Sequence, residues 1–128
     1  MLNKKFWYSP IPSIIWVLVI AVGSFIPSSR IPTVVVSDKW IHFIFYAIFS
    51  FLLFLSSLSN TKRSNSIVNR WTYVFIIGAI VGVLVEIIQH SIISGRQGEW
   101  MDIVANCLGL FFALILSEII KSLTASAP

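Results

Sequence analysis

Charge is scarce in this sequence. Charged residues make up 11% of the 128, with nine Lys and Arg against five Asp and Glu. An ordinary soluble domain carries about twice that share, so the scarcity excludes a well-solvated globular surface. The net charge of +4 is scattered between apolar blocks. It makes no basic face for nucleic acid and reads as membrane-topology charge. Cysteine is scarcer still: Cys107 stands alone in the sequence, which excludes an intrachain disulfide. Zinc-type Cys/His spacing, Gly-rich phosphate loops and fixed-period repeats are all missing. Neither a cofactor nor a metal centre is expected.

What remains is apolar. Hydrophobic residues form 57% of the chain, and the mean hydropathy is +0.91. The length suggests one domain, residues 1–128. Four apolar blocks, at about residues 11–26, 40–58, 71–93 and 101–120, predict an all-α polytopic membrane protein, a bundle of four transmembrane helices. The first block follows Lys4, Lys5 and the run Phe6, Trp7, Tyr8. Basic residues followed by an aromatic belt fit a membrane interface. Ser9 suits a cap, and Pro10 or Pro12 is tolerated in a first turn. A cleaved leader ending at Ala21-Val22-Gly23 is the competing reading, but Phe25 and Ile26 carry the apolar run past that site. Pro27 and Pro32 bracket a Ser-rich loop. Residues 59–70 are polar and basic, with Lys62, Arg63 and Arg70, and read as a second loop.

Polar residues inside or beside such blocks are costly and are therefore candidates for function. In the second block Lys39, His42 and Tyr46 recur at spacings of three and four, so they share one helical face, and Ser50 continues it. In the third, Gly78 and Gly82 allow close backbone approach; Glu86 and His90 extend that row at steps of four, with Gln89 adjoining. The short turn at 94–100, containing Gly95, Arg96, Gly98 and Glu99, forces the third and fourth blocks into an antiparallel hairpin. In the fourth, Asp102, Asn106, Gly109 and Ala113 lie on one face.

The distribution of Lys and Arg orients the bundle. Lys4, Lys5, Lys62, Arg63, Arg70 and Lys121 fall on one side of four spans, and Arg30, Lys39 and Arg96 on the other. The positive-inside rule then places both termini in the cytoplasm. The polar residues of three helices come to one level near the outer surface, as a pocket opening outward.

Each of these residues also has a plain structural reading. Asp38 and Asp102 stand near helix starts, where a carboxylate is favoured by capping and by the helix dipole. Lys39 can snorkel to the interface. Tyr46 can be a packed aromatic with His42 bonded to it. Glu86 needs a cation, a proton or water, and a pair with Arg96 would lock the hairpin. As a ligand site the group offers the planar fork of Arg96, the point charge of Lys39, and hydroxyl or amide recognition by Glu86, Gln89, Asp102 and Asn106. Complete catalytic sets are not evident. Cys107 sits about 100° around the helix from Asn106, which disfavours a thiol nucleophile. Glu86, His90, His42 and Asp102 lack diagnostic metal-ligand spacing.

Three pieces taken together carry a resemblance: Asp38-Lys39-x-x-His42-x-x-x-Tyr46, Glu86-x-x-Gln89, and Gly95-Arg96 followed by Asp102-x-x-x-Asn106-x-x-Gly109. Over about residues 38–113 the chain resembles the VanZ-like family of small bacterial membrane proteins. That family is named for a protein associated with resistance to the lipoglycopeptide teicoplanin. The resemblance implies an envelope role in the bacterial cytoplasmic membrane and no particular reaction; His90 and Cys107 are not part of its pattern. The expectation is a protein that is not an enzyme. Its site of Lys39, His42, Tyr46, Glu86, Gln89, Arg96, Asp102 and Asn106 would bind an envelope lipid, a lipid-linked cell-wall precursor or the antibiotic. A homo-oligomer is compatible with the chain. The alternative is an intramembrane enzyme acting on a lipid-linked precursor with Glu86 or His42 as acid/base. A proton-coupled transporter fits less well, because four short helices leave little room for alternating access.

The orientation is testable in a Cys107→Ser background. A membrane-impermeant thiol reagent should label Gly98→Cys from outside and leave Asn65→Cys unmodified until the membrane is opened. Labelling of Asn65→Cys in intact cells would reverse the topology.

Overall fold

The computed structural model describes residues 3–25, 38–61, 65–92 and 100–125, and among them every regular element is helical. A single turn, α1 (Lys4–Trp7), leads into α2 (Ile11–Ser24). Three longer helices follow: α3 (Asp38–Ser57), α4 (Ile67–Ile92) and α5 (Trp100–Ala125). The Ser9 hydroxyl joins the first two elements, donating to Phe6 O at 2.7 Å and accepting from the Ile11 amide at 3.3 Å.

Helices α3, α4 and α5 are long and apolar enough to cross a membrane. At the helical rise they span roughly 30, 39 and 39 Å, against a hydrocarbon core of about 30 Å. Helix α2 is apolar but shorter, 14 residues, or roughly 21 Å. The expectation of an all-helical membrane protein therefore stands, with three helices of spanning length and a fourth, shorter apolar one. Burial fits a lipid solvent. Ile14, Leu18, Val22, Ile76, Ile80, Leu108, Phe112 and Ile119 point outward. Among the described residues, the buried polar and charged side chains equal the buried apolar ones in number. A soluble fold reverses both tendencies.

The stretch read as a loop at 59–70 is partly helix. Helix α4 begins at Ile67, and Arg70 lies inside it, 4% exposed. Its Nε donates to Glu118 Oε1 at 2.6 Å and its Nη2 to Glu118 Oε2 at 2.7 Å. The guanidinium also stands 5.8 Å from the centre of the Phe54 ring. A bidentate, charge-assisted pair of this kind satisfies an arginine that would be costly alone in a low-dielectric bundle. The fourth apolar block likewise continues as helix past residue 120, to Ala125.

Pairings between side chains fix the helix directions. Gly82 faces Asn106, Gly78 faces Leu110 and Arg70 binds Glu118, so α4 and α5 run antiparallel in constant register. His42 meets Asn106, and the Ser50 hydroxyl donates to Leu110 O at 2.8 Å, so α3 and α5 run parallel. Helix α2 is tied to α3 by the indole of Trp16, which donates to Phe45 O at 2.9 Å. The apolar core between the two ends is built on Tyr46, Phe49, Leu53, Val74, Leu110 and Leu114.

The closest approach is between α3 and α5. A Cβ placed on Gly109 would overlap the carbonyl oxygen of Phe43 and stand 3.0 Å from the Ala47 amide nitrogen. Backbone cannot swing aside as a side-chain tip can. Small residues at helix contacts in membranes permit this kind of approach. Gly109→Ala should therefore destabilise the fold by about 1–3 kcal/mol, seen as a lowered thermal midpoint in detergent. Ala113→Gly, which removes bulk from the same face, should not reproduce the loss of α3–α5 contact. A Gly109→Ala protein as stable as the parent would contradict this packing.

Candidate functional site

One end of the bundle gathers the N-terminus of α3, the C-terminal part of α4, the N-terminus of α5 and the end of α2. Each helix brings its polar residues there by simple periodicity. On α3, His42, Tyr46 and Ser50 are all buried, while Lys39 lies one turn nearer the end and is 38% exposed at its side chain. On α5, Asp102, Asn106 and Gly109 are buried. Cys107, one step off that face, is exposed.

On α4 the row of four-residue steps does not stay on one face. Each step of four over-rotates by about 40°, so Gly78, Gly82 and Glu86 face inward and His90 has turned out. Gly82 and Glu86 are buried, and His90 is exposed. Gln89, three residues beyond Glu86, rotates back and is 2% exposed. Its amide donates to Ser24 O at 2.9 Å. Gln89 therefore holds α4 to the end of α2, satisfying a helix-terminal carbonyl, instead of facing the groups on α3 and α5.

The centre of the site is His42. Its Nδ1 lies 3.0 Å from Asn106 Oδ1. That oxygen can only accept, so Nδ1 carries the proton. Nε2 points the other way, 4.0 Å from Asp38 Oδ2 and 3.9 Å from Asp102 Oδ2. The second carboxylate oxygen of Asp102 stands 3.6 Å from Lys39 Nζ. The bond between His42 and Tyr46 that the plain structural reading allowed is not made: Asn106 on α5 is the imidazole's partner, because the backbones approach so closely at Gly109. Tyr46 packs edge-on against Phe49, and its hydroxyl reaches the surface of Gly82. Glu86, one turn beyond Gly82 on α4, is buried at the same end. Among the described residues, the Tyr46 hydroxyl and the Asn106 amide nitrogen are buried without a hydrogen-bond partner.

Two openings adjoin this cluster. A cavity of about 20 Å³ lies on the α2 side, lined by Ile20, Ser24, Asp38, His42 and Tyr46 among others. A larger groove of about 300 Å³ runs between α3 and α5, lined by Lys39, Trp40, Phe43, Met101, Val104 and Leu108 among others. It is apolar except at Lys39, the one member of the expected site that it touches.

Six of the eight expected site residues thus converge: Lys39, His42, Tyr46, Glu86, Asp102 and Asn106. Gln89 reaches the same end but turns to α2, and Arg96 lies outside the described residues. Asp38 was not expected in the site. Its position one helical turn before His42 was the available signal, overshadowed by its suitability as a cap. In comparisons with known proteins, no family model, no curated protein and no solved structure matches the chain.

The His42–Asn106 bond can be weighed against its neighbour. Asn106→Leu leaves a buried imidazole N–H without an acceptor, and should cost about 1–3 kcal/mol of stability. Cys107→Ser should be nearly neutral. Thermal unfolding of both variants in the same detergent reads the contrast, and equal effects would place the bond outside the fold's stabilising contacts.

Proposed function

We propose that this chain is a VanZ-like protein of the bacterial cytoplasmic membrane. Its four apolar helices all cross, both termini are cytoplasmic, and the polar end opens outward. There it binds a lipid-anchored cell-wall component and so contributes to envelope maintenance or to protection from a teicoplanin-type lipoglycopeptide. One observation carries the reading: an apolar groove of about 300 Å³ with Lys39 on its rim runs beside a buried polar cluster. An amphipathic ligand with an anionic head suits that pairing. Its hydrocarbon tail follows Phe43, Val104 and Leu108 on the lipid-facing surface. Its phosphate lies at the level of Lys39, and Arg96, between the third and fourth apolar blocks in the sequence, is the second cation of this reading. The carboxylates and amides behind Lys39 orient the ammonium and read neighbouring polar groups. Nothing in this role requires a reaction.

Native mass spectrometry of the purified chain with undecaprenyl phosphate, and separately with the uncharged polyprenol, tests the binding. The phosphate should be retained preferentially. Lys39→Ala and Arg96→Ala should each weaken it about tenfold, the equivalent of about 1.4 kcal/mol, and Val104→Trp should block the groove. Equal retention of polyprenol and its phosphate, unaffected by Val104→Trp, would exclude this site. In a teicoplanin-sensitive host, resistance conferred by the chain should disappear with Arg96→Ala at equal protein levels; resistance that survives would show that the pocket is not the active feature.

A further inference from the structure

We propose that Asp38, His42 and Asp102 form a binding site for a divalent transition cation of the zinc type. One ligand atom of each lies within 4.8 Å of the others. His42 and Asp102 are each 7% exposed at the side chain. The bond from Nδ1 of His42 to Asn106 turns Nε2 toward two carboxylate oxygens, at 3.9 and 4.0 Å. That gap is too long for a hydrogen bond between Nε2 and either oxygen. A metal ion fits it better. Donors bound to one zinc at about 2.1 Å in tetrahedral geometry stand about 3.4 Å apart. Reaching that spacing means closing each of the two gaps to His42 by about half an ångström, through adjustment of both Asp38, whose side chain is 41% exposed, and Asp102 on α5.

The surroundings support the same assignment. A metal-bound imidazole usually donates its other N–H to an oxygen acceptor, which fixes ring and tautomer; Asn106 does this for His42. Asp102 presents its two oxygens to different partners, Oδ2 toward His42 and Oδ1 toward Lys39. The cavity of about 20 Å³ beside Asp38 and His42 has room for one water, enough for a fourth ligand. One imidazole with two carboxylates suits zinc or manganese better than magnesium or calcium, which favour oxygen donors throughout. The ion would also join α3 to α5 on the N-terminal side of their contact at Gly109. This site does not depend on what the groove accepts, since it asks only for the metal.

The full chain, purified in detergent without a polyhistidine tag, should bind one Zn²⁺ per chain in calorimetric titration and carry it through desalting, as read by elemental analysis. Zn²⁺ should raise the thermal midpoint of the parent protein. Asp38→Asn, at the half-exposed rim, should keep the fold and weaken Zn²⁺ binding at least about tenfold, and Asn106→Leu should weaken it about 10- to 100-fold through loss of the orienting bond. His90→Ala, which removes the exposed histidine of α4, should change nothing. Absence of stoichiometric Zn²⁺ and Mn²⁺ binding by the parent protein would overturn the proposal. So would binding that survives Asp38→Asn but is lost with His90→Ala, or a His42 ring found doubly protonated at neutral pH by nitrogen NMR in the presence of Zn²⁺.

Discussion

The contact that the polar end depends on is made by backbone. Helices α3 and α5 approach so closely at Gly109 that a single methyl group there would overlap the Phe43 carbonyl. Because the two helices run parallel, that contact also sets their register. One turn before it, Asn106 comes level with His42 and accepts its Nδ1 proton at 3.0 Å. One turn earlier again, Asp102 comes level with Lys39. Beyond it, Ser50 reaches the Leu110 carbonyl. A wider separation of these helices would leave His42, Asn106 and Asp102 as isolated polar groups in hydrocarbon, each with a desolvation cost and no partner.

Polar side chains occupy both ends of the bundle, but they are handled differently. At one end Arg70 and Glu118 form a closed bidentate pair, capped by the face of Phe54. Guanidinium and carboxylate satisfy each other there. At the other end the contacts are looser. His42 Nε2 stands about a hydrogen bond and a half from its carboxylates, and the Tyr46 hydroxyl and Asn106 amide nitrogen are buried without hydrogen-bond partners among the described residues. Buried polar groups in native proteins are usually paired. Unpaired groups occur at both ends, with Ser13 and Trp71 also among them, but only the His42 end lies beside a groove with Lys39 on its rim.

Periodicity made much of this legible in the sequence. Spacings of three and four place Lys39, His42 and Tyr46 on one face and Asp102, Asn106 and Gly109 on another, and the few residues between the third and fourth blocks imply that the two run antiparallel. What periodicity could not supply was the partner of each group. Gln89 binds a carbonyl of α2, and His42 binds Asn106 and not Tyr46; both depend on the distance between helices, which no single-helix pattern encodes. Helix α4 starts four residues before the strongly apolar stretch because Arg70, a break in any hydropathy reading, is neutralised by Glu118 on another helix. The row of four-residue steps through Gly78, Gly82 and Glu86 misleads at His90 for a geometric reason, the accumulated rotation of about 40° per step.

Whether α3 and α5 meet as described can be measured by a double-mutant cycle on stability with His42→Ala and Asn106→Ala. Residues in direct hydrogen-bonded contact inside a membrane bundle should show a coupling energy of about 0.5–2 kcal/mol. Effects that add to within about 0.3 kcal/mol would mean that the two side chains do not meet, and the polar end would have to be rebuilt from a different packing of these helices.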